Sequence, residues 1–275
     1  MEDPNSTETI IMATLSTLTP PQLSHLTHSI SSLFHRHRRR LSTLLSSPTN
    51  FSLTLHHLHS LSLHHKSLLI ARHLLSTLTH LTRFFHTTTT PPSFAATAIK
   101  LRDLDAALLL LLLCELRQHD PEALKTSPSK WRIILCNYVS HIILTLSGVG
   151  VSNGAVLFQY IEVVAKCRRF VGVMGCGGKE GRLVAASVAG VVALPSVEVS
   201  SVGRECAICK EEMREGREVC ELPCDHLFHW MCILPWLGKR NTCPCCRHRL
   251  PTDDVFGEIE RLWDVLVKVG NGSNL

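Results

Sequence analysis

Leucine and isoleucine recur at helical spacing along the first two thirds of the chain. The first periodic segment begins at Thr19, which suits the N-cap position, and the proline after it suits the first helical position. Apolar residues then follow at steps of three, four or eight as far as Leu44, which predicts one amphipathic helix. A Ser-Pro pair at residues 47–48 restarts the pattern, and the leucines between Leu55 and Leu75 predict one or two more helices.

Three further helical segments follow after a Thr- and Pro-rich interruption. The first, at about residues 95–117, contains the leucine run 108–113, and a helix that is apolar on every side belongs in the centre of a bundle. The other two, residues 129–146 and 153–171, each end at glycines. The pattern therefore predicts a mainly α protein with an N-terminal helical bundle over residues 19–175.

A membrane-spanning helix is the alternative for residues 133–161, because this stretch has no formal charge. It contains polar residues and glycines, however, and every polar side chain in it would need a partner within hydrocarbon. Among them are Asn137, His141, Gly148, Gly150, Ser152, Asn153, Gly154 and Gln159. The apolar runs 108–113 and 183–194 are shorter than the roughly 20 residues that a span needs. We therefore expect a protein that is soluble or attached to a membrane surface.

Two more segments complete the helical and irregular parts of the chain. Residues 176–203 are rich in Gly, Ala, Val and Ser and contain a proline, which predicts a linker, or a weak strand or helix. Near the C-terminus, Thr252 and two aspartates suit a helix start, and apolar residues recur at helical spacing as far as Gly270. We predict a helix over residues 252–270 that packs on the preceding module, with dimerisation as its alternative role.

Charge is distributed unevenly along the chain. The net charge is +5, but residues 9–102 contain nine Lys or Arg, twelve of the seventeen His, and no Asp or Glu. This asymmetry predicts a targeting signal or an anionic partner for the N-terminal third. The basic run at residues 36–40 is a candidate nuclear signal, although such runs are more often the solvated face of a helix.

Cysteine is concentrated near the C-terminus, where eight of the twelve cysteines lie in residues 206–246. The acidic start of the chain lacks the positive region of a secretory signal, so metal-bound thiolates are expected rather than disulfides. The cysteines and histidines follow the order Cys-x2-Cys, Cys-x-His, His-x2-Cys, Cys-x2-Cys. These eight residues are Cys206, Cys209, Cys224, His226, His229, Cys232, Cys243 and Cys246.

Thiolates and imidazoles are the ligands that Zn²⁺ prefers, and a two-residue gap lets one tight turn present both sulfurs to one ion. Eight ligands make two closed tetrahedral sites, so we expect two zinc ions per chain. A closed site has no position for a reactive water, which argues against a zinc hydrolase. Cys220 and Cys245 are left over and are interpreted as bystanders. The His pairs at residues 56–65 are interpreted mainly as polar-face residues rather than ligands.

The ligand order resembles the RING-H2 finger, with His at the fourth and fifth ligand places. Positions between the ligands agree as well, notably Ile208, Phe228, Trp236, Pro244 and Arg247. The resemblance covers residues 204–250 and implies an interleaved arrangement of two ions. One ion would be held by Cys206, Cys209, His229 and Cys232. The other would be held by Cys224, His226, Cys243 and Cys246.

The resemblance also implies an E3 ubiquitin ligase that holds a ubiquitin-charged conjugating enzyme and orients its thioester for attack by a substrate lysine, without a covalent intermediate on this chain. Ile208, Trp236 and Pro244 would dock the conjugating enzyme. Arg247 would hydrogen-bond both ubiquitin and that enzyme, since a guanidinium donates to two partners at once. The simpler interpretation is that Ile208 and Trp236 pack a small core and that Arg247 is an ordinary surface cation.

Two other classes of function stay open. Nucleic-acid binding is disfavoured, because residues 204–250 carry eight Lys or Arg against seven Asp or Glu and so lack a basic stripe. A scaffold that binds partners without transferring ubiquitin is also compatible with the sequence.

Residues 14–28, 53–75 and 101–175 resemble plant RING-H2 ligases associated with amyloplasts and shoot gravitropism. This resemblance implies a plastid location and a substrate-binding role for residues 1–200. The Ser-rich, acid-free N-terminal third is transit-like in composition, whereas the acidic extreme N-terminus and the amphipathic helices favour docking on the outside of the organelle. A cytoplasmic or a nuclear location is the alternative.

Overall fold

The computed structural model describes residues 4–85, 99–147, 153–174, 183–200 and 203–272. The chain forms two compact units. The first, called here the helical unit, comprises Met1–His80 and Ile99–Cys176. The second, the C-terminal unit, comprises Leu81–Ala98 and Gly177–Leu275.

Seven α-helices lie in the described part of the chain before residue 175. They are α1 (Pro4–Ser16), α2 (Pro20–Ser46), α3 (Pro48–Ser60), α4 (Leu63–Thr82), α5 (Leu101–His119), α6 (Pro128–Ser147) and α7 (Asn153–Val173). Short 3-10 turns follow α4 at Arg83–Phe85 and α5 at Ala123–Lys125. The predicted mainly α fold is therefore confirmed, and the predicted segment at 95–117 is a helix from Leu101, with residues 95–98 outside the described part.

Helix starts agree with the capping residues seen in the sequence. The Gln22 side chain accepts a hydrogen bond at 2.9 Å from the backbone N–H of Thr19, which fixes the beginning of α2. The Ser47 hydroxyl accepts one at 3.3 Å from the N–H of Asn50, at the beginning of α3. These local signals explain why one leucine-rich stretch is divided into separate helices.

Leucine side chains build the core of the helical unit. Helix α2 packs against α3, α5, α6 and α7, and α5 packs in turn against α2, α3 and α6. Leu78 of α4 and Leu109 of α5 are fully buried. Full burial of such a side chain contributes about 1.5–3 kcal/mol. The Tyr160 hydroxyl of α7, also inaccessible, donates a hydrogen bond at 3.1 Å to the Thr77 carbonyl of α4. In the leucine run of α5, Leu108, Leu109 and Leu112 are buried, and the other three leucines are half-buried.

The bundle begins earlier than the predicted residue 19. Helix α1 packs against α7 and buries Ile11, Thr14 and Leu15. The Thr14 hydroxyl donates to the Ile10 carbonyl at 2.8 Å, so its polar atom is satisfied inside the helix. A polar residue in the middle of a short apolar face weakened the sequence signal for this helix.

The C-terminal unit contains a three-stranded antiparallel sheet in the order β1-β2-β3 and three helices in its described residues. The elements are α8 (Val188–Val192), β1 (Ser196–Glu198), β2 (Glu218–Glu221), β3 (Leu227–Phe228), α9 (Trp230–Leu237) and α10 (Val255–Gly270). In register, Ser196 faces Cys220, and Cys220 faces Phe228.

Residues 183–200 form the short helix α8 and the strand β1, which agrees with the strand or helix alternative for this segment rather than with a linker. Strand β1 pairs with β2, while Leu194 and Val199 are buried in the core of the C-terminal unit. The Ala186 N–H donates to the Leu237 carbonyl at 2.9 Å, and the Ser187 N–H donates to the Pro251 carbonyl at 2.8 Å. Leu194 and Val199 are therefore packing residues, whereas Val188 and Val192 are exposed. The described part of this segment belongs to the folded unit.

Helix α10 packs within the C-terminal unit, as predicted for one of its two roles. Its N-cap is Asp254, whose carboxylate accepts a hydrogen bond at 2.9 Å from the N–H of Gly257. Leu262 and Leu266 are fully buried. On the same helix, Glu258 and Arg261 form an ion pair at 2.7 Å with almost no solvent exposure. This buried pair has no counterpart in the expectations from sequence.

None of the helices in the described ranges is long and apolar enough for a membrane span. Residues 148–152 of the uncharged stretch lie outside those ranges.

Candidate metal centres

Two Cys-x2-Cys turns at the ends of the zinc-ligand sequence share the same backbone hydrogen bonds. In the first, the Lys210 N–H donates to the Cys206 carbonyl at 2.8 Å, and the Cys206 N–H donates to the Glu211 carbonyl at 2.9 Å. In the second, the backbone N–H of Arg247 donates to the Cys243 carbonyl at 3.0 Å, and the backbone N–H of Cys243 donates to the carbonyl of residue 248 at 2.9 Å. Each turn therefore presents its two thiols from one rigid loop.

The residue after the second cysteine of each turn has a left-handed backbone. The φ angle is 64° at Lys210 and 62° at Arg247. A non-glycine residue in this conformation costs about 1 kcal/mol or more, so the surrounding turn must impose it. Lys210 and Arg247 thus occupy equivalent positions in two equivalent turns.

The other four candidate ligands lie around strand β3. Cys224 and His226 belong to the turn between β2 and β3, which the Leu222 N–H closes by donating to the His226 carbonyl at 3.0 Å. His229 is the N-cap of α9, and Cys232 lies in its first turn. Three residues along a strand span roughly 10 Å, so His226 and His229 at opposite ends of β3 face different sites.

The eight side chains accordingly gather in two sets of four. The first set is Cys206, Cys209, His229 and Cys232. The second set is Cys224, His226, Cys243 and Cys246. Within each set the ligand atoms lie within 4.8 Å of one another. Sulfurs bound at about 2.3 Å to one tetrahedral Zn²⁺ lie roughly 3.8 Å apart, so this spacing suits zinc.

Two further observations fit a cation in these sites. The Nδ1 atom of His226 is buried and has no hydrogen-bond partner among the described residues, and a buried lone pair without a partner is costly unless it binds a metal. The Cys209 sulfur lies 3.4 Å from Nδ1 of His229.

The donor sets thus fit two zinc ions, each with four protein ligands. Zinc at such sites supplies folding energy and shape rather than a reactive water, because every coordination position is filled by the protein. The residues of this chain would then be held in place by the metal and would act on bound partners.

The predicted docking residues lie close to these centres in sequence and differ in exposure. Ile208 and Trp236 are half-buried and pack against the core of the C-terminal unit, while Pro244 is half-buried in the second turn. The Trp236 indole N–H donates to the Thr242 carbonyl at 2.7 Å, which fixes the ring. Arg247 is exposed. The core-packing interpretation of Ile208 and Trp236 therefore holds in part, and each keeps an accessible portion.

Arg240 is a feature of this surface that the sequence did not indicate. Its guanidinium lies 5.4 Å from the ring centroid of Trp236, in a cation–π arrangement. Trp236 lies inside α9, and Arg240 follows four positions later, beyond the end of the helix. The sequence signal for this contact was therefore a pair of residues at helical spacing.

The two leftover cysteines belong to neither four-ligand set. Cys220 is buried on β2, where burial and the nearby Glu221 charge raise the pKa of its thiol to about 11. Cys245 is exposed, and its N–H donates to the Cys243 sulfur at 3.4 Å. In the described part of the chain, the histidines of residues 56–65 form no group able to hold a metal ion.

The sequence is similar to known protein families at two scales. Residues 204–247 match the family model described as a Ring finger domain. Over this part, the chain is 54% identical along 67 residues to the E3 ubiquitin-protein ligase RNF181 of Xenopus tropicalis, which covers 23% of this chain and 43% of that protein. It is also 46% identical along 74 residues to the E3 ubiquitin-protein ligase RING1 of Gossypium hirsutum, covering 25% of this chain and 22% of that protein.

One relative matches almost the entire chain. The Arabidopsis thaliana protein described as "E3 ubiquitin-protein ligase SGR9, amyloplastic" is 54% identical over 284 residues. The match covers 98% of this chain and 98% of the relative, so it includes the helical unit as well as the metal centres. Two four-ligand sets, a Ring finger match and whole-chain identity agree. The chain therefore belongs to the RING-type E3 ubiquitin-protein ligases, in the family of this Arabidopsis protein.

Proposed function

We propose that this ligase docks a ubiquitin-charged conjugating enzyme on Ile208, Trp236 and Pro244, and that Arg247 orients the ubiquitin thioester. Support comes from the position of Arg247, which is exposed in the turn that carries Cys243 and Cys246. A rigid turn fixes where the guanidinium starts, and orientation of reacting groups is the main contribution that a RING ligase makes. The eight Cys and His side chains are the proposed zinc ligands.

Single-turnover discharge of ubiquitin from a charged conjugating enzyme tests this assignment. We expect Trp236→Ala to weaken enzyme binding about tenfold or more while both zinc ions stay bound. Arg247→Ala should leave binding within about twofold and slow discharge about tenfold or more, since it removes an interaction made to the reacting complex.

Lys210→Ala is the matched control for Arg247→Ala. It removes a cation from the equivalent left-handed position of the first turn, so any loss due to the turn itself appears in both variants. Normal discharge by both the Trp236 and Arg247 variants would refute the proposed roles and make these side chains structural only. An unaltered protein that binds both zinc ions but discharges no ubiquitin would be a scaffold without ligase activity. Equal losses of discharge rate in the Lys210 and Arg247 variants would indicate that Arg247 acts only by supporting the structure of its turn.

We also propose that the ligase works at the outer surface of plastids in a plant gravitropic pathway, with residues 1–200 binding the substrate. The amyloplastic description of the full-length relative supports the location. The excess of cations in residues 9–102 suits attachment to an anionic surface. The full chain fused to a fluorescent reporter should lie on the plastid rim and be released by alkaline carbonate. Resistance to carbonate would indicate an integral span, and nuclear fluorescence would make residues 36–40 the targeting signal.

A further inference from the structure

Two adjacent cavities open in the helical unit where α2 meets α5. The larger has a volume of about 580 Å³ and the smaller about 520 Å³, and Arg40 and Thr43 line both. The smaller cavity is also lined by Arg36, Arg39 and His37 of α2. The larger is also lined by Arg102 of α5 and by Asn50 of α3. The two cavities, which share Arg40 and Thr43, are together called the basic groove.

The basic groove has an excess of positive charge. Asp105 is the one carboxylate among the residues that line the two cavities. It already accepts two hydrogen bonds from the Arg40 guanidinium, at 2.8 and 2.5 Å. Arg36, Arg39 and Arg102 are exposed and enter no ion pair with the described residues. Three guanidinium groups therefore face the solvent around a groove whose only acid is neutralised.

Exposed leucines flank these cations. Leu53, which lines the larger cavity, is 69% exposed, and Leu101, which lines the smaller, is 64% exposed. Other apolar side chains of the helical unit are as exposed, such as Leu63 at 63%, so what distinguishes Leu53 and Leu101 is their position beside three exposed arginines. Cations next to exposed apolar side chains are the combination found where proteins bind the membrane interface.

We propose that the basic groove binds the phosphate of an anionic phospholipid headgroup while Leu53 and Leu101 enter the adjacent acyl region. Guanidinium groups suit the phosphate because their planar fork donates two parallel hydrogen bonds. A lipid surface fits better than a nucleic acid or a soluble phosphate, because only a bilayer offers anionic headgroups and hydrocarbon to the same face. This inference rests on the proposed surface attachment and names the site that carries it.

Vesicle co-sedimentation with the full-length, zinc-loaded protein tests the proposal. We expect binding to phosphatidylcholine vesicles that contain phosphatidylglycerol, release at high salt, and no binding to phosphatidylcholine alone. Each cation at an anionic surface contributes roughly a fivefold gain in affinity, so Arg36→Ala, Arg39→Ala and Arg102→Ala combined should weaken binding about one hundredfold. All three side chains are exposed, so the combined variant should fold normally.

Neighbouring residues provide matched controls. Arg38 is exposed on the same helix but lines neither cavity, so Arg38→Ala should change binding by less than about twofold, against about fivefold for Arg39→Ala. Leu53→Ser with Leu101→Ser should weaken the binding that persists at high salt. Leu63→Ser, at a leucine that is 63% exposed and lines neither cavity, should not.

Equal losses from Arg38→Ala and Arg39→Ala would overturn the site, because the effect would then be one of net charge alone. Equal binding to both vesicle types, or displacement by millimolar orthophosphate, would also overturn it. The triple arginine variant should discharge ubiquitin at the normal rate. Plastid fluorescence of a chain that fails to bind vesicles would leave the proposed location intact and replace the lipid by a protein receptor.

Discussion

The two units of this ligase are stabilised by different interactions. The helical unit buries many leucines, such as Leu74, Leu78 and Leu109, and each adds a modest share. The C-terminal unit has a smaller core that includes Cys206 and Cys243, whose sulfurs are also candidate zinc ligands. Stability in the first unit is spread over many side chains. In the second it is concentrated in eight ligands, so a single substitution has far greater consequences there.

The units also differ in how they treat buried polar groups. In the helical unit, His73 of α4 is almost fully buried, and its ring centroid lies 5.1 Å from that of His37 on α2. Burial lowers the pKa of His73 to about 3, so this imidazole is neutral at physiological pH. In the C-terminal unit, Glu258 and Arg261 are buried as a charged pair. Burial thus keeps His73 uncharged, whereas Glu258 and Arg261 keep their charges as a buried pair.

Removal of zinc should give the largest difference in stability between the two units. Structural zinc contributes roughly 10–16 kcal/mol per ion in small zinc modules, far more than any single leucine contributes to the bundle. Chelation should unfold the C-terminal unit and leave the helical unit folded. Hydrogen exchange of the full chain, resolved by segment, checks this expectation.

Native mass spectrometry provides the companion measurement. The untreated chain should carry two zinc ions, and Cys209→Ser or His229→Ala should lose one of them. A chain with one ion or none would contradict the two-site arrangement. Loss of protection throughout residues 4–174 on chelation would show that the bundle depends on the metal centres.

The buried ion pair should give the next largest effect. Glu258→Ala leaves the Arg261 guanidinium buried without its partner, which costs about 3–5 kcal/mol. It also removes the acceptor for the Thr252 N–H, which lies 3.1 Å from the Glu258 carboxylate. Urea denaturation of the zinc-loaded protein, followed by exchange in α10, measures the change in the free energy of unfolding.

Glu260→Ala is the control for Glu258→Ala on the same helix. Glu260 is half exposed and pairs with Arg249 at 2.8 Å, so its removal should cost less than about 1 kcal/mol. Replacing the pair by Glu258→Leu with Arg261→Met should recover most of the stability, since a packed apolar pair leaves no buried charge. A double variant as unstable as Glu258→Ala would show that the hydrogen bond to Thr252 matters more than the charges.

The smallest expected effect on stability near neutral pH comes from the buried histidines His73 and His37. In the unfolded chain His73 titrates near pH 6.5, while in the folded bundle its pKa is about 3 and that of His37 about 4, in each case mainly through burial. Between these values the unfolded state binds protons that the folded state does not. The stability of the helical unit should therefore fall as the pH is lowered from 6.5 towards 3.

The pH dependence of urea denaturation, followed through the bundle, checks this expectation. His73→Leu should reduce the slope by about one proton over that range. An unchanged slope in the His73 variant would mean that water or an anion compensates the buried charge.

Most of the fold was predictable because its signals are local. Thr19 and Ser47 announce helix starts, the leucine run of α5 marks a central helix, and the spacing of the eight ligands indicates the metal centres. The spacing did not reveal which ligands share an ion. That division follows from β3, whose length separates His226 from His229, and the RING-H2 resemblance supplied it in advance.

The elements that the sequence missed or left open depend on contacts between distant residues. Strand β1 is three residues long, and its place is set by pairing with β2, more than twenty positions away. The roles of His73 and Glu258 depend on burial, which no local pattern reports for an ordinarily polar side chain. The position of helix α1 likewise depends on its packing against α7, the last helix of the unit in sequence.

The pairing of β1 with β2 sets a boundary for dissection of this ligase. A fragment that begins at residue 204, where the Ring finger match starts, lacks β1 and leaves the N–H and C=O groups of β2 at an open sheet edge. It also uncovers the core that Leu194 and Val199 occupy. An open edge beside exposed apolar side chains recruits strands from other molecules, so such a fragment should self-associate, whereas one that begins at residue 183 retains its own edge strand.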